Sequence, residues 1–157
     1  ISKAKRYLYV MTPYLIISDS VNTALCNAAK AGVDVRIITP HIPDKPLVFE
    51  LTRSHYEPLL EAGVQIFEYT PGFVHAKNMV ADDLCAVVGS INLDYRSMFL
   101  HFEDAVLLYR DPTILDVKRD FLETQFKSQP VTLEECLAHA WPRRLFRSIL
   151  RVLAPLL

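Results

Sequence analysis

Two Gly-Val pairs, Gly32-Val33 and Gly63-Val64, each end a long amphipathic segment and open an apolar run. Glycine supplies the left-handed residue that stops a helix, so both pairs read as the same helix-to-strand transition. Around them, β-rich apolar runs alternate with amphipathic segments, the pattern of an α/β fold: a mixed β-sheet flanked by helices. Strands are expected over 6–11, 34–39, 64–69, 77–81, 85–90 and 104–109. Ser18-Asp19-Ser20 is expected to cap a helix running to Ala31, Asp44 to Ala62 to hold a second, and Asp111-Pro112 to start a third that ends near Lys127, before Gln129-Pro130. From Val131 a separate C-terminal helical tail is expected. This divides the chain into an α/β body, 1–128, and an amphipathic tail, 129–157.

The 157 residues, 51% of them hydrophobic, suffice for one domain with a sizeable core. Seventeen Lys and Arg against eighteen Asp and Glu give a net charge of −1, without the basic field that drives nonspecific nucleic-acid binding. The average conceals an asymmetry. Leu137 to Leu157 carry Arg143, Arg144, Arg147 and Arg151 and no acid, a charge of +4 that leaves −5 on residues 1–136. Cys26, Cys85 and Cys136 are widely spaced and odd in number, which favours free thiols in a reduced compartment over a disulfide or metal site. No apolar run is long enough for a membrane span, and the N-terminus has neither a signal-peptide core nor an initiator Met. The chain reads as a piece of a longer protein.

The informative segment is Phe73 to Glu103. Read as a strand, 75–81 places His75 and Lys77 on one face, a neutral imidazole beside a fixed cation, suited to a phosphate anion. Asp82 has the opposite parity and sits in the Asp82-Asp83 turn, where a structural role is expected. The following apolar strand ends at Gly89-Ser90-Ile91-Asn92. There Gly89 permits close backbone approach, and Ser90 and Asn92 offer hydrogen bonds to phosphoryl oxygens. Glu103 opens the next strand and is expected to accept a hydrogen bond from the second ring nitrogen of His75, fixing its tautomer. Asp94 and Arg96 read as a local ion pair, and His41, His55, His101 and His139 as structural or exposed.

The string His75-x-Lys77-x4-Asp82-x6-Gly89-Ser90-x-Asn92 resembles the HxKxxxxDxxxxxxGSxN signature of the phospholipase D superfamily. Asp94, Arg96 and Ser97 extend it. Nine fixed residues at about 5% abundance each would coincide by chance at about 10⁻¹² per starting position. With Pro71-Gly72-Phe73-Val74, Thr12-Pro13-Tyr14, Glu57-x-Leu59-Leu60-x-Ala62-Gly63-Val64, Val131 to Glu135 and the closing Ala154-Pro155-Leu156-Leu157, the chain looks like the C-terminal half of bacterial cardiolipin synthases.

That resemblance implies catalytic His75, Lys77, Asp82 and Glu103, with Ser90 and Asn92 binding phosphate. It implies no metal or other cofactor. Two halves, each bringing one histidine, would meet in one site, the second coming from a preceding N-terminal half or a homodimer partner, so this piece alone is expected to be inactive. One histidine would form a phosphohistidine and the other would serve as acid and base; His75 fits either part. The implied reaction is phosphatidyl transfer between two phosphatidylglycerol molecules, releasing glycerol, at the bacterial inner membrane. Other readings are a phospholipid hydrolase using the same residues, a homodimeric nuclease, disfavoured by the −5 body, and a non-catalytic scaffold, disfavoured by intact His75, Lys77 and Asn92.

If Pro142 opens a helix in the tail, its four arginines and Ser148 share one face, opposite Leu145, Phe146, Ile149, Leu150, Val152 and Leu153. Two arrangements follow: Trp141 and the arginines meet an anionic membrane surface, or the apolar face packs on the rest of the protein.

Overall fold

The computed structural model describes residues 1–138 and 141–153. His139 and the closing Ala154 to Leu157 lie outside them. The chain order is β1 (Tyr7–Met11), β2 (Leu15–Ile16), α1 (Asp19–Lys30), β3 (Asp34–Pro40), α2 (Pro46–Ser54), α3 (Tyr56–Glu61), β4 (Gln65–Tyr69), β5 (Asn78–Ala81), β6 (Cys85–Gly89), β7 (Leu93–Asp94), a π-helical turn (Arg96–Leu100), β8 (Ala105–Tyr109), α4 (Thr113–Phe126), β9 (Ser128–Val131), α5 (Leu133–Leu137) and α6 (Trp141–Leu153). Seven strands form one mixed sheet in the order β8-β6-β5-β1-β3-β4-β9, in which β1, β3 and β4 run parallel and the remaining neighbours pair antiparallel. β2 and β7 make a separate parallel pair.

The central strand β1 is buried on both faces, as the middle of a sheet covered by helices must be. Leu8 and Val10 face a core with Leu25 of α1, Tyr56 and Leu59 of α3, and Cys136 of α5. On the other face Tyr7, Tyr9 and Met11 pack with Ile114 and Phe121 of α4. Gly32 and Gly63 take φ of +90° and +94°, so the two helix-to-strand turns have the left-handed conformation that their sequence implies.

The helix expected over 44–62 is broken in two. Pro58 has no N–H to give the Ser54 carbonyl, and its ring would strike that carbonyl in a continuous helix, so a new helix starts at Tyr56. The carbonyl of Ser54 instead receives Nη2 of Arg151 from α6. A further difference is β9. Gln129 and Pro130 end α4 as expected, but Ser128–Val131 then pairs antiparallel with β4 as a sheet edge, the location where a strand tolerates proline.

The amphipathic segment forms α6, turned in neither of the expected ways. Its basic side meets the body: Nε of Arg147 donates to Glu50 Oε2 at 2.8 Å, and Nε of Arg143 to the same oxygen at 3.2 Å. Leu150 packs beside Ile16 and Leu51, whereas Trp141, Leu145, Phe146, Ile149 and Val152 are exposed. An acid on α2 faces these arginines, and one on β4 anchors α2 itself. Glu50 draws the arginines of α6, and the buried Glu68 holds Arg53 of α2 through bonds of 2.8 and 2.6 Å. Among the described residues no helix is long and apolar enough to cross a membrane.

Candidate active site

Because β6 runs antiparallel to both β5 and β8, the start of β5, the end of β6 and the start of β8 lie at one end of the sheet, beside the end of β1. This gathers His75 and Lys77, Ser90 and Asn92, and Glu103. The strand begins at Asn78, later than expected, so His75 and Lys77 occupy an irregular approach to it. Nζ of Lys77 turns back to the carbonyl of His75 at 2.8 Å. Burial lowers the lysine's pKa, opposed by the carboxylates of Glu103 and Asp94. The imidazole of His75 is exposed, tilted against Phe73 with ring centroids 5.8 Å apart.

Glu103 lies elsewhere than the expected His75 contact. Its Oε1 accepts from Ser97 Oγ at 2.7 Å and its Oε2 from Ser90 Oγ. These two hydroxyls hold the carboxyl below its usual range. Ser90, expected to face phosphate, thus spends its proton on Glu103 and accepts from the Asp104 N–H at 3.0 Å. Asn92 donates to Ser97 Oγ at 3.0 Å, while its own Oδ1 is buried without a partner among the described residues.

Asp82, for which parity implies a structural part and the resemblance a catalytic one, lies in the turn at the far end of β5 from Lys77. Asp82 and Asp83 both adopt φ of 58°, a left-handed pair that makes the tight β5–β6 turn. The Asp82 carboxylate reaches across to accept the N–H groups of Lys5, Arg6 and Tyr7 at 2.7, 2.8 and 3.0 Å, tying the start of β1 to the hairpin. Burial pushes its pKa up, but the three N–H donors prevail and hold it low. Gly89 allows a close approach of protein rather than ligand: a Cβ there would overlap the Asp104 carbonyl and Ala105 Cα. Asp94 caps the π-helical turn by accepting the Ser97 N–H at 2.7 Å.

Three residues that the sequence analysis names without a role at the site join it. Thr12, fully buried, bridges the Tyr14 carbonyl at 2.8 Å and the Leu93 N–H at 3.1 Å, hanging the Asn92 loop from the end of β1. Ser97 joins Asn92 to Glu103. His101 stands 3.9 Å from Glu103 Oε1 through Nδ1 and 3.4 Å from Arg96 Nε through Nε2. Its position two residues before Glu103, on the same strand parity, was the available signal.

Residues 1–125 match the family described as "Cardiolipin synthase, PLD-like domain". All 157 residues align at 47% identity with a Streptococcus mutans protein of uncharacterised function, covering 34% of it. They align at 41% identity with a protein named cardiolipin synthase from Geobacillus kaustophilus, covering 31% of that protein. The chain therefore spans about a third of the length of these relatives. The phosphatidylserine synthase of Haemophilus influenzae Rd KW20 has the same fold, with a TM-score of 0.76 at 18% identity over 98% of this chain and 41% of that one. The matched family, the extent of the alignments and the fold agree: this chain belongs to the phospholipase D-like domain family of cardiolipin synthases.

Proposed function

We propose that the full protein containing this chain is a cardiolipin synthase, transferring a phosphatidyl group between two phosphatidylglycerol molecules. The observation that carries the reading is the 41% identity over the whole chain to a protein named for that activity, in a domain that gathers His75, Lys77, Asn92 and Glu103 at one sheet end. A histidine attacks phosphorus, forming a P–N bond as the bond to glycerol oxygen breaks. A second histidine, supplied by another part of the full protein or by a second copy, protonates the leaving alkoxide. The acceptor hydroxyl then attacks, its O–P bond forming as the P–N bond breaks, and its proton returns to the acid–base histidine. His75 is one of the two.

Lys77 and Asn92 hold the phosphoryl oxygens. An ammonium has three protons and only one is given to the His75 carbonyl, which leaves donors for the charge that develops on phosphorus-bound oxygen. Glu103 acts from beside them, steadied by Ser90 and Ser97. The exposed Phe99, Leu100 and Phe102 near the site, and the apolar side of α6, suit work at the bacterial inner membrane.

The test is His75→Ala in the full-length protein on phosphatidylglycerol vesicles, with products identified by mass spectrometry. The wild type yields cardiolipin and glycerol and the variant neither. Phosphatidic acid as the wild-type product would make the protein a hydrolase, and synthase activity retained by the variant would remove His75 from the reaction.

A further inference from the structure

The hydrogen bonds that link Asn92, Ser97 and Glu103 all run one way. Asn92 Nδ2 donates to Ser97 Oγ at 3.0 Å, and Ser97 Oγ donates to Glu103 Oε1 at 2.7 Å. The other carboxylate oxygen, Oε2, accepts from Ser90 Oγ, which itself accepts the Asp104 N–H at 3.0 Å. An ionised carboxylate only accepts, so both hydroxyls turn their protons to it. Each serine has a single hydroxyl proton, and the lone pairs of Ser97 therefore face the Asn92 amide. Only an N–H can meet them. Glu103 thus decides, through Ser97, which end of the amide faces that hydroxyl.

The fold holds Ser97 where this choice is enforced. Its side chain is buried, and its own N–H donates to Asp94 Oδ1 at 2.7 Å, which fixes its place in the π-helical turn. The Asn92 loop is held separately, by the Leu93 N–H on Thr12 Oγ1 at 3.1 Å. Among the described residues the bond to Ser97 is the amide's one hydrogen bond, since Oδ1 is buried without a partner. His101 Nδ1, 3.9 Å from Glu103 Oε1, is too distant to take the place of either hydroxyl.

We infer that Ser97 is a positioning residue of the transfer reaction: it passes the charge of Glu103 to Asn92 as a fixed amide orientation, so that the second Nδ2 proton meets a phosphoryl oxygen. The inference rests on the phosphoryl-binding part proposed for Asn92. A phosphoryl oxygen is an acceptor, and an amide free to reverse would offer it a carbonyl in one of its two states. An orientation set before the substrate arrives needs no rearrangement as charge develops on that oxygen. Ser97 and Glu103 then act without touching the substrate, and Glu103 serves the asparagine rather than the tautomer of His75. Ser97 makes and breaks no covalent bond; its proton stays on Oγ, donated to Glu103.

The experiment is a double-mutant cycle in the full-length protein, reading cardiolipin formation on phosphatidylglycerol vesicles. Asn92→Ala lowers kcat about 100-fold, the loss of one preorganised donor, and Ser97→Ala about tenfold, the loss of its orientation alone. In the Asn92→Ala protein, Ser97→Ala costs less than about twofold more, because the group it acts on is gone. Ser97→Thr, which keeps the hydroxyl, stays within about threefold of wild type. Glu103→Ala, which frees the Ser97 proton to turn to the amide, shows the same coupling to Asn92 and supplies it independently if Ser97→Ala does not fold. Where Asn92→Ala leaves too little turnover to follow, the same cycle is read in the Kd for inorganic phosphate. Losses from Ser97→Ala or Glu103→Ala that are equal with and without Asn92, or a Ser97→Thr protein as slow as Ser97→Ala, overturn the assignment. Wild-type turnover in Asn92→Ala overturns the phosphoryl-binding part of Asn92, and the positioning of it falls too. A wild type that releases phosphatidic acid instead of cardiolipin overturns the transferase reading alone, and the cycle read on that product still decides for or against Ser97.

Discussion

Asp82 is the motif residue whose position and chemistry differ most from those of its companions. It lies at the opposite end of β5 from Lys77, and its three backbone N–H bonds fix the first residues of β1. Asp82→Ala is expected to cost about 1–3 kcal/mol, the range for hydrogen bonds to a charged group with water competing at this half-buried turn. Urea unfolding of the two proteins measures it. The folded-state pKa is depressed from 3.8, so the stabilisation is complete above that value and disappears as pH falls through the lower, folded one. The difference between wild type and variant should therefore shrink only in strong acid. Glu103 teaches the converse lesson. Its place at the head of β8 was legible from spacing, but its partners were not, because Ser97 comes from a π-helical turn that no period in the sequence announces.

At the scale of elements, the six long strands and the first and last helices of the sheet domain were readable because alternation, caps and glycine stops all agree there. The elements that escaped are those set by tertiary contact: the two-residue strands β2 and β7, the edge strand β9, and the break between α2 and α3. Gly89 shows how one position governs such contact. Gly89→Ala drives a methyl into β8 and should cost about 1–3 kcal/mol in a thermal or urea melt. In the full-length protein it should also reduce turnover, since Ser90 directly follows β6 and Glu103 shortly precedes β8, the two strands being pushed apart.

The α2–α3 junction holds a second test. His55 is buried there with Nε2 unpartnered among the described residues, and desolvation, aided by the Arg151 charge, lowers its pKa from 6.5 to about 4. The unfolded chain binds a proton that the folded chain refuses, so stability is lost as pH falls from 6.5 toward 4, by about 3 kcal/mol over the window. His55→Leu should flatten that slope in urea melts at pH 7 and 4.5.

Across the whole molecule, charge is arranged by contact rather than by average. The +4 tail is partly neutralised on the body, since Glu50 collects Arg143 and Arg147, and its carboxyl falls to about 2 despite the burial that opposes ionisation. The outward face of α6 is consequently apolar, the reverse of what the run of arginines suggests. Helical periodicity separates the two faces but does not say which one turns inward. On the inward side Glu50, far away in sequence, receives Arg143 and Arg147.

Trp141 opens α6 at the mouth of the groove between that helix and α2–α3, and it is the chain's one tryptophan. In a full-length protein whose other tryptophans are replaced, its emission maximum becomes an optical gauge of where α6 lies. Titration with vesicles then distinguishes two events by colour alone: a blue shift as the indole enters an acyl environment, or a constant spectrum if the helix stays against the body.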